Sequence, residues 1–247
     1  MRGLNMRLIV GGLLMLCLFS SAHAGISLSA TRLVFEKNSH EASVTARNHT
    51  LQNILLQSWI EQDDKKAKDI PFVITPSLAR LSGDGRQILR VLYRGQGMPR
   101  DKESVLWLNV QEIPQAAKDE NTLQIAIRQR IKIFYRPTGL KGDADSAPAL
   151  LSWQLTQQDA NSFIAINNPT QYHISMLSLE GIDMQEPFTG QMFEPGTTTL
   201  IPIMPIAEHA HSTVRFQTVN DWGALVPHHV RVDFSEPRTG SKELVTP

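Results

Sequence analysis

The sequence predicts an all-β protein made of two immunoglobulin-like β-sandwich domains. Apolar residues recur with period two along most of the 247-residue chain, as they do in strands that bury one face. Turn residues interrupt this alternation roughly every ten residues, which is typical of immunoglobulin-type sandwiches. The alternation also stops in a segment rich in Gly, Asp and Ala, residues 138–149, and then restarts. We interpret that segment as a linker between domains.

Residues 1–24 are predicted to be a signal peptide rather than part of the fold. Arg2 and Arg7 precede the apolar run LIVGGLLMLCLF, and Ala22 and Ala24 place small residues before a cleavage site after Ala24. A membrane-spanning helix needs about 20 apolar residues, so this shorter run does not predict membrane insertion. We therefore expect an exported protein.

The net charge and the cysteine content of the remaining chain argue against several classes of function. Loss of Arg2 and Arg7 leaves 24 − 2 = 22 basic residues against 24 acidic ones, a net charge of −2. This balance gives no support to a nucleic-acid partner. The single cysteine, Cys17, lies in the predicted signal peptide, so the exported chain is expected to lack disulfides, thiol catalysis and sulfur-ligated zinc.

The first domain, residues 25–140, is predicted from seven segments of alternating pattern. In chain order these are ISLSATRLVFE (26–36), EASVTARN (41–48), ILLQSWIEQ (54–62), PFVITPSLARL (71–81), RQILRVLYRG (86–95), ESVLWLNVQEI (103–113) and NTLQIAIRQRIKIFYRP (121–137). Each is bounded by Gly, Pro, Asn, Asp or Ser, the residues that favour turns. Seven strands with this spacing are sufficient for one sandwich.

The second domain, residues 141–247, is predicted in the same way. Its strand-like segments are LLSWQLTQQ (150–158), SFIAINNPT (162–170), YHISMLSLEGI (172–182), TTLIPIMPI (198–206), HSTVRFQTVND (211–221) and HHVRVDFSE (228–236). Because it has fewer segments than the first half, we expect a second, smaller β domain.

The segment 121–137 combines an apolar face with a cationic face. Leu123, Ile125 and Ile127 share one parity, and Lys132 has the other. The three apolar residues are either ordinary core or an open edge that pairs with a strand of another protein. Lys132 is either a surface lysine whose stem covers apolar neighbours or an anion ligand in a different cavity. A bend or bulge between Ile127 and Lys132 is a further alternative.

The sequence offers no convincing catalytic or metal site. It contains no nucleophile elbow, no HExxH motif and no phosphate-binding glycine loop. His209 and His211 share one strand face and His228 is next to His229, but no acidic or histidine partner has the spacing of a metal site. We interpret these as exposed histidines and expect a binding protein that is not an enzyme and needs no cofactor.

Five segments resemble the periplasmic pilus chaperones of the chaperone–usher pathway. They are LSATRLVFE (28–36), MPRDKESVLWLNVQEIP (98–114), LQIAIRQRIKIFYRP (123–137), INNPTQYHI (166–174) and VNDWG (219–223), in the order expected of the family. The short loop PQAAKDEN (114–121) is similar to that of the short-loop branch. Gln115 departs from the family pattern, which has a small residue or proline there.

The resemblance implies a fold and a binding mode. The two domains are expected to meet in a boomerang arrangement. Arg32 and Lys132 are expected to bind the C-terminal carboxylate of a pilus subunit in the cleft between the domains. Leu123, Ile125 and Ile127 are expected to fill the subunit's open groove, and Glu103, Arg136 and Asp221 to form an interdomain ionic network. The Thr75–Pro76 bond is expected to be cis.

The resemblance also implies partners and a cellular location. The partners are pilus subunits and the outer-membrane usher, in the periplasm, with no ATP site required. The free protein is expected to be able to cap its open edge as a homodimer. Two alternatives remain open on the sequence: a pilus subunit or adhesin, and a periplasmic enzyme or sugar-binding module on a sandwich fold. A lack of cysteine in the exported chain argues against the former, and a lack of clustered aromatics argues against a sugar site.

Overall fold

The computed structural model describes residues 25–35, 39–62, 69–115, 125–158, 161–205 and 211–233. Within these ranges the first half of the chain forms β1 (Ile26–Leu28), β2 (Arg32–Phe35), β3 (Glu41–Asn48), β4 (Ile54–Glu61), β5 (Phe72–Thr75), β6 (Leu78–Leu81), β7 (Arg86–Tyr93), β8 (Ser104–Ile113) and β9 (Arg128–Tyr135). The second half forms a 3-10 turn (Ala147–Leu150), β10 (Ser152–Gln158), β11 (Asn161–Asn167), β12 (Ile174–Glu180), β13 (Gln191–Phe193), β14 (Thr198–Ile203), β15 (His211–Val219) and β16 (Leu225–Asp233). No helix in the described ranges is long and apolar enough to span a membrane.

The first half folds as a sandwich of two sheets with strand orders β1-β3-β7-β5 and β2-β9-β8-β4-β6. Alternate residues of the facing strands form one apolar core, in which Phe35, Leu89, Leu106 and Ile133 are almost completely buried. Each such side chain contributes about 1.5–3 kcal/mol relative to an exposed one, so the period-two pattern alone accounts for this packing.

The first predicted strand, 26–36, is wrong in one respect, because the chain changes sheets within it. β1 pairs antiparallel with β3, whereas β2 pairs parallel with β9 in the opposite sheet. Ser29 lies at the crossing, where its backbone N–H donates to the carbonyl of Thr45 at 2.9 Å. An alternating pattern gives no sign of such a switch, because both halves bury residues of the same core.

Segment 71–81 also divides between the two sheets. β5 pairs with β7, β6 pairs with β4, and the Thr75–Pro76 peptide between β5 and β6 is cis, as the resemblance implied. Ser58 secures this crossing, because its hydroxyl donates to the carbonyl of Pro76 at 2.7 Å.

The second half is a separate sandwich with strand orders β10-β11-β14 and β13-β12-β15-β16. Its own core is built around Trp153, Phe193 and Phe216, all buried. The sequence reasoning missed β13, because a three-residue strand is too short to display an alternation. Phe193 nevertheless is fully buried and pairs opposite Ile174.

The two sandwiches are joined by backbone and amide hydrogen bonds at Gln171. Its carbonyl accepts from the N–H of Glu103 at 2.9 Å, and its side-chain amide donates to the carbonyl of Asp101 at 2.7 Å. The Gln171 amide oxygen also accepts from the N–H of Lys141 at 2.6 Å. Gln171 of the second domain is therefore hydrogen-bonded both to the residues at the start of β8 and to the linker.

Candidate functional site

Arg32 and Lys132 lie side by side at the junction of the two sandwiches. They are register partners on the parallel strands β2 and β9. Arg32 Nη1 donates to the carbonyl of Val219 at 2.8 Å, and Lys132 Nζ donates to Ser175 Oγ at 2.9 Å. Both acceptors belong to the second domain, so the two cations line the cleft between the domains.

Arg32 is held in a site that suits an anion. Burial lowers the pKa of its guanidinium and the charge of Arg136 does so further, while Asp221 partly opposes the effect. Its Nε is buried and has no hydrogen-bond partner in the described part of the chain. An unsatisfied charged donor is unfavourable, and a carboxylate could accept its hydrogen bond. Beside Arg32 is a cavity of about 130 Å³ bordered by Phe134, His173 and Ser175.

Arg136, Glu103 and Asp221 are also brought together at this junction. Arg136 Nε donates to Glu103 Oε2 at 2.6 Å, and Arg136 Nη2 donates to Asp221 Oδ1 at 2.8 Å. Burial by itself lowers the pKa of Arg136, but the hydrogen bond to Asp221 and the charge of Glu103 raise it above its ordinary value. The guanidinium therefore stays charged between two carboxylates, one from each domain.

His173 is a fourth member of this cluster that the sequence reasoning missed. Its backbone N–H donates to Glu103 Oε1 at 2.8 Å, and its ring Nδ1 lies 2.9 Å from the same oxygen. Glu103 is 1% exposed, so its two oxygens are both occupied inside the protein. No spacing rule links residues 103 and 173, since only the docking of the two domains brings them together.

The apolar half of segment 121–137 lies outside the sheet. Strand β9 begins at Arg128, so the prediction of a strand from residue 121 is wrong for the described residues before it. Ile125 is 67% exposed and Ile127 is 41% exposed, although both share the parity of the buried Ile131 and Ile133. The core interpretation is therefore wrong for Ile125 and Ile127, whereas Ile131 and Ile133 lie in the core. Leu123 lies outside the described residues.

The cationic half covers the opposite face of the same sheet. Arg130 Cζ lies 3.9 Å from the centre of the Trp107 ring, and Lys132 Nζ lies 5.8 Å from it. Arg128 Cζ is 6.0 Å from the Trp59 ring. Pairing of β9 with β8 runs from Arg128 to Tyr135 without a register shift, so no bulge separates the two faces. The guanidinium of Arg130 therefore packs on the Trp107 indole as a cation–π contact.

One edge of β9 is open over part of its length. β2 covers β9 only from Lys132 to Tyr135, and β8 lies on the other side. In the described ranges no strand pairs with the outer edge of Arg128–Ile131. Just before this part of β9, the backbone carbonyl of Ile127 accepts a hydrogen bond from the N–H of Glu112 at 3.1 Å. The cation pair thus stands where the covered part of β9 ends and the open part begins.

Two family models match this chain. The chain matches the family described as pili and flagellar-assembly chaperone, PapD N-terminal domain, over residues 25–141. It matches the pili assembly chaperone PapD, C-terminal domain, over residues 146–230. The chain belongs to the pilus-assembly chaperones. It is thus a fimbrial chaperone of the chaperone–usher pathway and not an enzyme.

Individual relatives of this chaperone cover most of its length. It is 36% identical to the probable fimbrial chaperone LpfB of Escherichia coli O157:H7, over 81% of this chain and 85% of that protein. It is 31% identical to the probable fimbrial chaperone YadV of Escherichia coli strain K12, over 86% of this chain and 92% of that protein. A solved YadV chaperone structure aligns with a TM-score of 0.69 at 30% identity, over 85% of this chain and 100% of that chain. The predicted fold class, two immunoglobulin-like domains in a boomerang arrangement, is confirmed.

The histidines of the chaperone do not gather into a metal site in the described residues. His228 stacks on Phe216 with ring centres 4.8 Å apart, and its Nε2 lies 2.8 Å from Thr218 Oγ1. Burial lowers the pKa of His228, with a smaller contribution from His229. His228 is therefore a packed residue and not the exposed loop histidine that the sequence suggested. His209 and the side chain of His211 lie outside the described residues.

The first domain of the chaperone also carries an exposed apolar patch that the sequence reasoning missed. Leu55 and Ile113 are register partners on β4 and β8, and Leu78 pairs opposite Gln57 on the next strand. The three side chains are 42%, 36% and 57% exposed. Adjacent exposed apolar side chains on one sheet face indicate a protein interaction surface.

Proposed function

We propose that this chaperone stabilises fimbrial subunits by donor-strand complementation. The observation that carries the proposal is the open edge of β9, continued by the exposed Ile125 and Ile127. A subunit with an unpaired edge and an apolar groove would gain backbone hydrogen bonds from this edge and would bury both side chains. Burial of the two contributes about 3–6 kcal/mol before ordering costs. Leu123, of the same parity, is proposed as the third groove-filling residue.

Arg32 and Lys132 are proposed to anchor the subunit's C-terminal carboxylate. Two adjacent cations, one with a buried unsatisfied N–H, favour a group that carries a full negative charge and two acceptor oxygens. The existing acceptors are weaker, because the Val219 carbonyl and the Ser175 hydroxyl are neutral. An incoming carboxylate can therefore compete for both donors.

The cluster of Glu103, Arg136 and Asp221, with His173, is proposed to fix the angle between the domains. Arg136 and Glu103 come from the first domain and Asp221 and His173 from the second, so the contacts exist in one relative orientation. A buried ionic cluster is weak evidence for net stability, but it specifies geometry strongly. The proposed boundary between the domains lies at residues 140 and 141.

Delivery to the outer-membrane usher requires a surface that stays free while the subunit is bound. The patch of Leu55, Leu78 and Ile113 lies on the face of its sheet opposite the core and away from the junction residues. We propose it as the usher-facing surface. In the absence of a subunit, the open edge of β9 is proposed to pair with a second copy of the chaperone.

The protein is proposed to act in the periplasm after removal of residues 1–24. A signal peptide with cleavage after Ala24 is the sequence feature that supports export, and the curated relatives are fimbrial chaperones. Intact-mass measurement of the protein recovered from the periplasm tests the position of cleavage.

The proposal is tested by recovering the chaperone from periplasm of cells that express its fimbrial operon. Mass spectrometry of the co-purified material should identify a fimbrial subunit in about equal amount with the native chaperone. Arg32→Ala should lose most of that subunit while the chaperone remains folded by circular dichroism. Equal subunit recovery with Arg32→Ala and the native protein would contradict the anchor, and recovery of no subunit with the native protein would contradict the function.

A further inference from the structure

Glu112 is a buried carboxylate that the proposed subunit-binding site does not use. It lies near the end of β8 and is 7% exposed, with its side chain on the core-facing parity of Val110 and Leu108. In the described part of the chain, no side chain or backbone N–H donates a hydrogen bond to its carboxylate. Because a carboxylate with little access to water is stabilised by an opposite charge, a cation at this position would be favoured.

Gly25 lies directly against this carboxylate. A Cβ atom on Gly25 would be 2.0 Å from Glu112 Oε2 and 2.7 Å from Oε1. The backbone nitrogen of Gly25 is one bond from the same Cα, so it lies within about 5 Å of the nearer oxygen. Gly25 is held in this place, because its carbonyl accepts from the N–H of His49 at 2.9 Å.

We propose that signal-peptide removal creates the partner of Glu112. Hydrolysis of the Ala24–Gly25 amide consumes one water and leaves a carboxylate on Ala24 and an amino group on Gly25. That amino group takes up a proton and becomes an α-ammonium beside Glu112, where it forms an ion pair. Before cleavage the same nitrogen belongs to a neutral peptide amide with one N–H. The inference rests on the proposed cleavage after Ala24.

The ion pair would support the base of the segment that carries Ile125 and Ile127. The backbone N–H of Glu112 donates to the carbonyl of Ile127, and Gln129 Nε2 donates to the carbonyl of Ile26 at 2.7 Å. The processed N-terminus, β1 and the start of β9 are therefore linked through Glu112 and Gln129. Removal of the signal peptide thus completes the support of the subunit-binding edge, and the unprocessed chain lacks it.

A thermodynamic cycle with defined N-termini tests the ion pair. Four proteins are prepared behind a fusion partner that is cut off cleanly: one starting at Gly25, one with three alanines before Gly25, and the Glu112→Gln form of each. Urea unfolding should give an unfolding constant about ten-fold larger for the alanine-extended chain when Glu112 is present, the effect of a charge-assisted bond. With Glu112→Gln the extension should change this constant less than two-fold. An equal effect in both backgrounds, or no effect in either, overturns the proposal.

A second measurement does not depend on unfolding. The Gly25 amine of the folded protein is reacted with an amine-reactive reagent at neutral pH, and the N-terminal peptide is quantified by mass spectrometry. An ion pair holds the amine protonated, so Glu112→Gln should accelerate the reaction about ten-fold, and the control Glu41→Gln should not. Equal rates overturn the proposal. A periplasmic N-terminus at any residue other than Gly25 also overturns it, while leaving the subunit-binding proposal intact.

Discussion

Lys132 lies beside an aromatic ring and is also proposed to bind the carboxylate of the subunit. Its ammonium group lies 5.8 Å from the Trp107 ring and donates to Ser175 across the domain junction. Lys132→Met keeps a long stem on the indole ring and removes the charge. We expect subunit affinity to fall about 10- to 100-fold, the loss of one charge-assisted bond, while the urea midpoint of the free chaperone hardly changes. Pull-down with a purified subunit and equilibrium unfolding measure the two quantities.

Arg130→Met is the matched control for this change. Arg130 is two residues away on the same strand face and packs 3.9 Å from the same Trp107 ring, and it is salt-bridged to Glu61 at the outer surface. Its loss should leave subunit affinity within about two-fold, since its partner Glu61 belongs to the first domain and Lys132, not Arg130, is the register partner of Arg32. If both substitutions weaken binding equally, the anchor role of Lys132 is wrong and general surface charge is responsible.

His228 gives the second domain a dependence on pH. Burial lowers its pKa below the ordinary value of 6.5, so the unfolded chain binds the proton more readily than the folded one. This group therefore leaves stability unchanged well above pH 6.5 and reduces it progressively as the pH falls below that value. His228→Gln, which keeps a hydrogen-bonding group near Thr218, should flatten this decline. Urea midpoints between pH 8 and pH 5 measure it, and an unchanged slope would rule out His228 as the source.

The segment 125–133, which leads into β9, serves two structures along one face. Ile131 and Ile133 complete the chaperone's own core, whereas Ile125 and Ile127 remain exposed. Ile125→Asp should therefore leave the free chaperone within about 0.5 kcal/mol of native stability and abolish detectable subunit binding. Ile133→Asp should instead unfold the first domain, because it buries an unpaired charge. Calorimetry of the free variants and subunit pull-down distinguish the two outcomes; unfolding of Ile125→Asp would show that it belongs to the core.

The elements that the sequence predicted well are those with long alternating patterns. β3, β4, β7 and β8 follow the predicted segments to within about two residues, because their faces differ in burial along eight or more residues. The division of 26–36 into β1 and β2, and the strand β13, were not predictable in this way. The alternation of apolar residues along a strand shows which face is buried, but it does not show in which of the two sheets the strand pairs.

The candidate site likewise contains residues that the sequence predicted and contacts that it could not predict. The alternation of 121–137 assigned Arg128, Arg130 and Lys132 to one face correctly, and the resemblance supplied Arg32, Arg136, Glu103 and Asp221. The place of His173 against Glu103 and the approach of Gly25 to Glu112 could not be predicted. Both depend on contacts between segments distant in the sequence, and neither residue type has a spacing that signals such a contact.

The relation between the two domains depends on a buried ionic cluster. Arg136→Met would leave the Glu103 carboxylate buried next to His173 with its main cation removed. We expect a loss of about 3–5 kcal/mol in the free energy of unfolding and a wider range of interdomain angles. Urea unfolding and small-angle X-ray scattering measure these effects.

The double variant Arg136→Met with Glu103→Gln is the control for that experiment. It removes the uncompensated charge and should recover much of the lost stability, because no buried ion remains without a partner. It should not recover a single interdomain angle, since the contacts that specify the orientation are absent. A double variant as unstable as Arg136→Met would show that the charge balance is not the cause.

The pairing of Arg32 with Lys132 in one register has a consequence for subunit choice. If a carboxylate is fixed at these two cations, every position along β9 acquires a set distance from it. Ile127 stands five residues away, about 17 Å along an extended strand. The bound C-terminal carboxylate would then set the register in which the subunit pairs with the chaperone. A subunit lengthened by a single C-terminal residue would shift by one position and present the wrong face to Ile125 and Ile127.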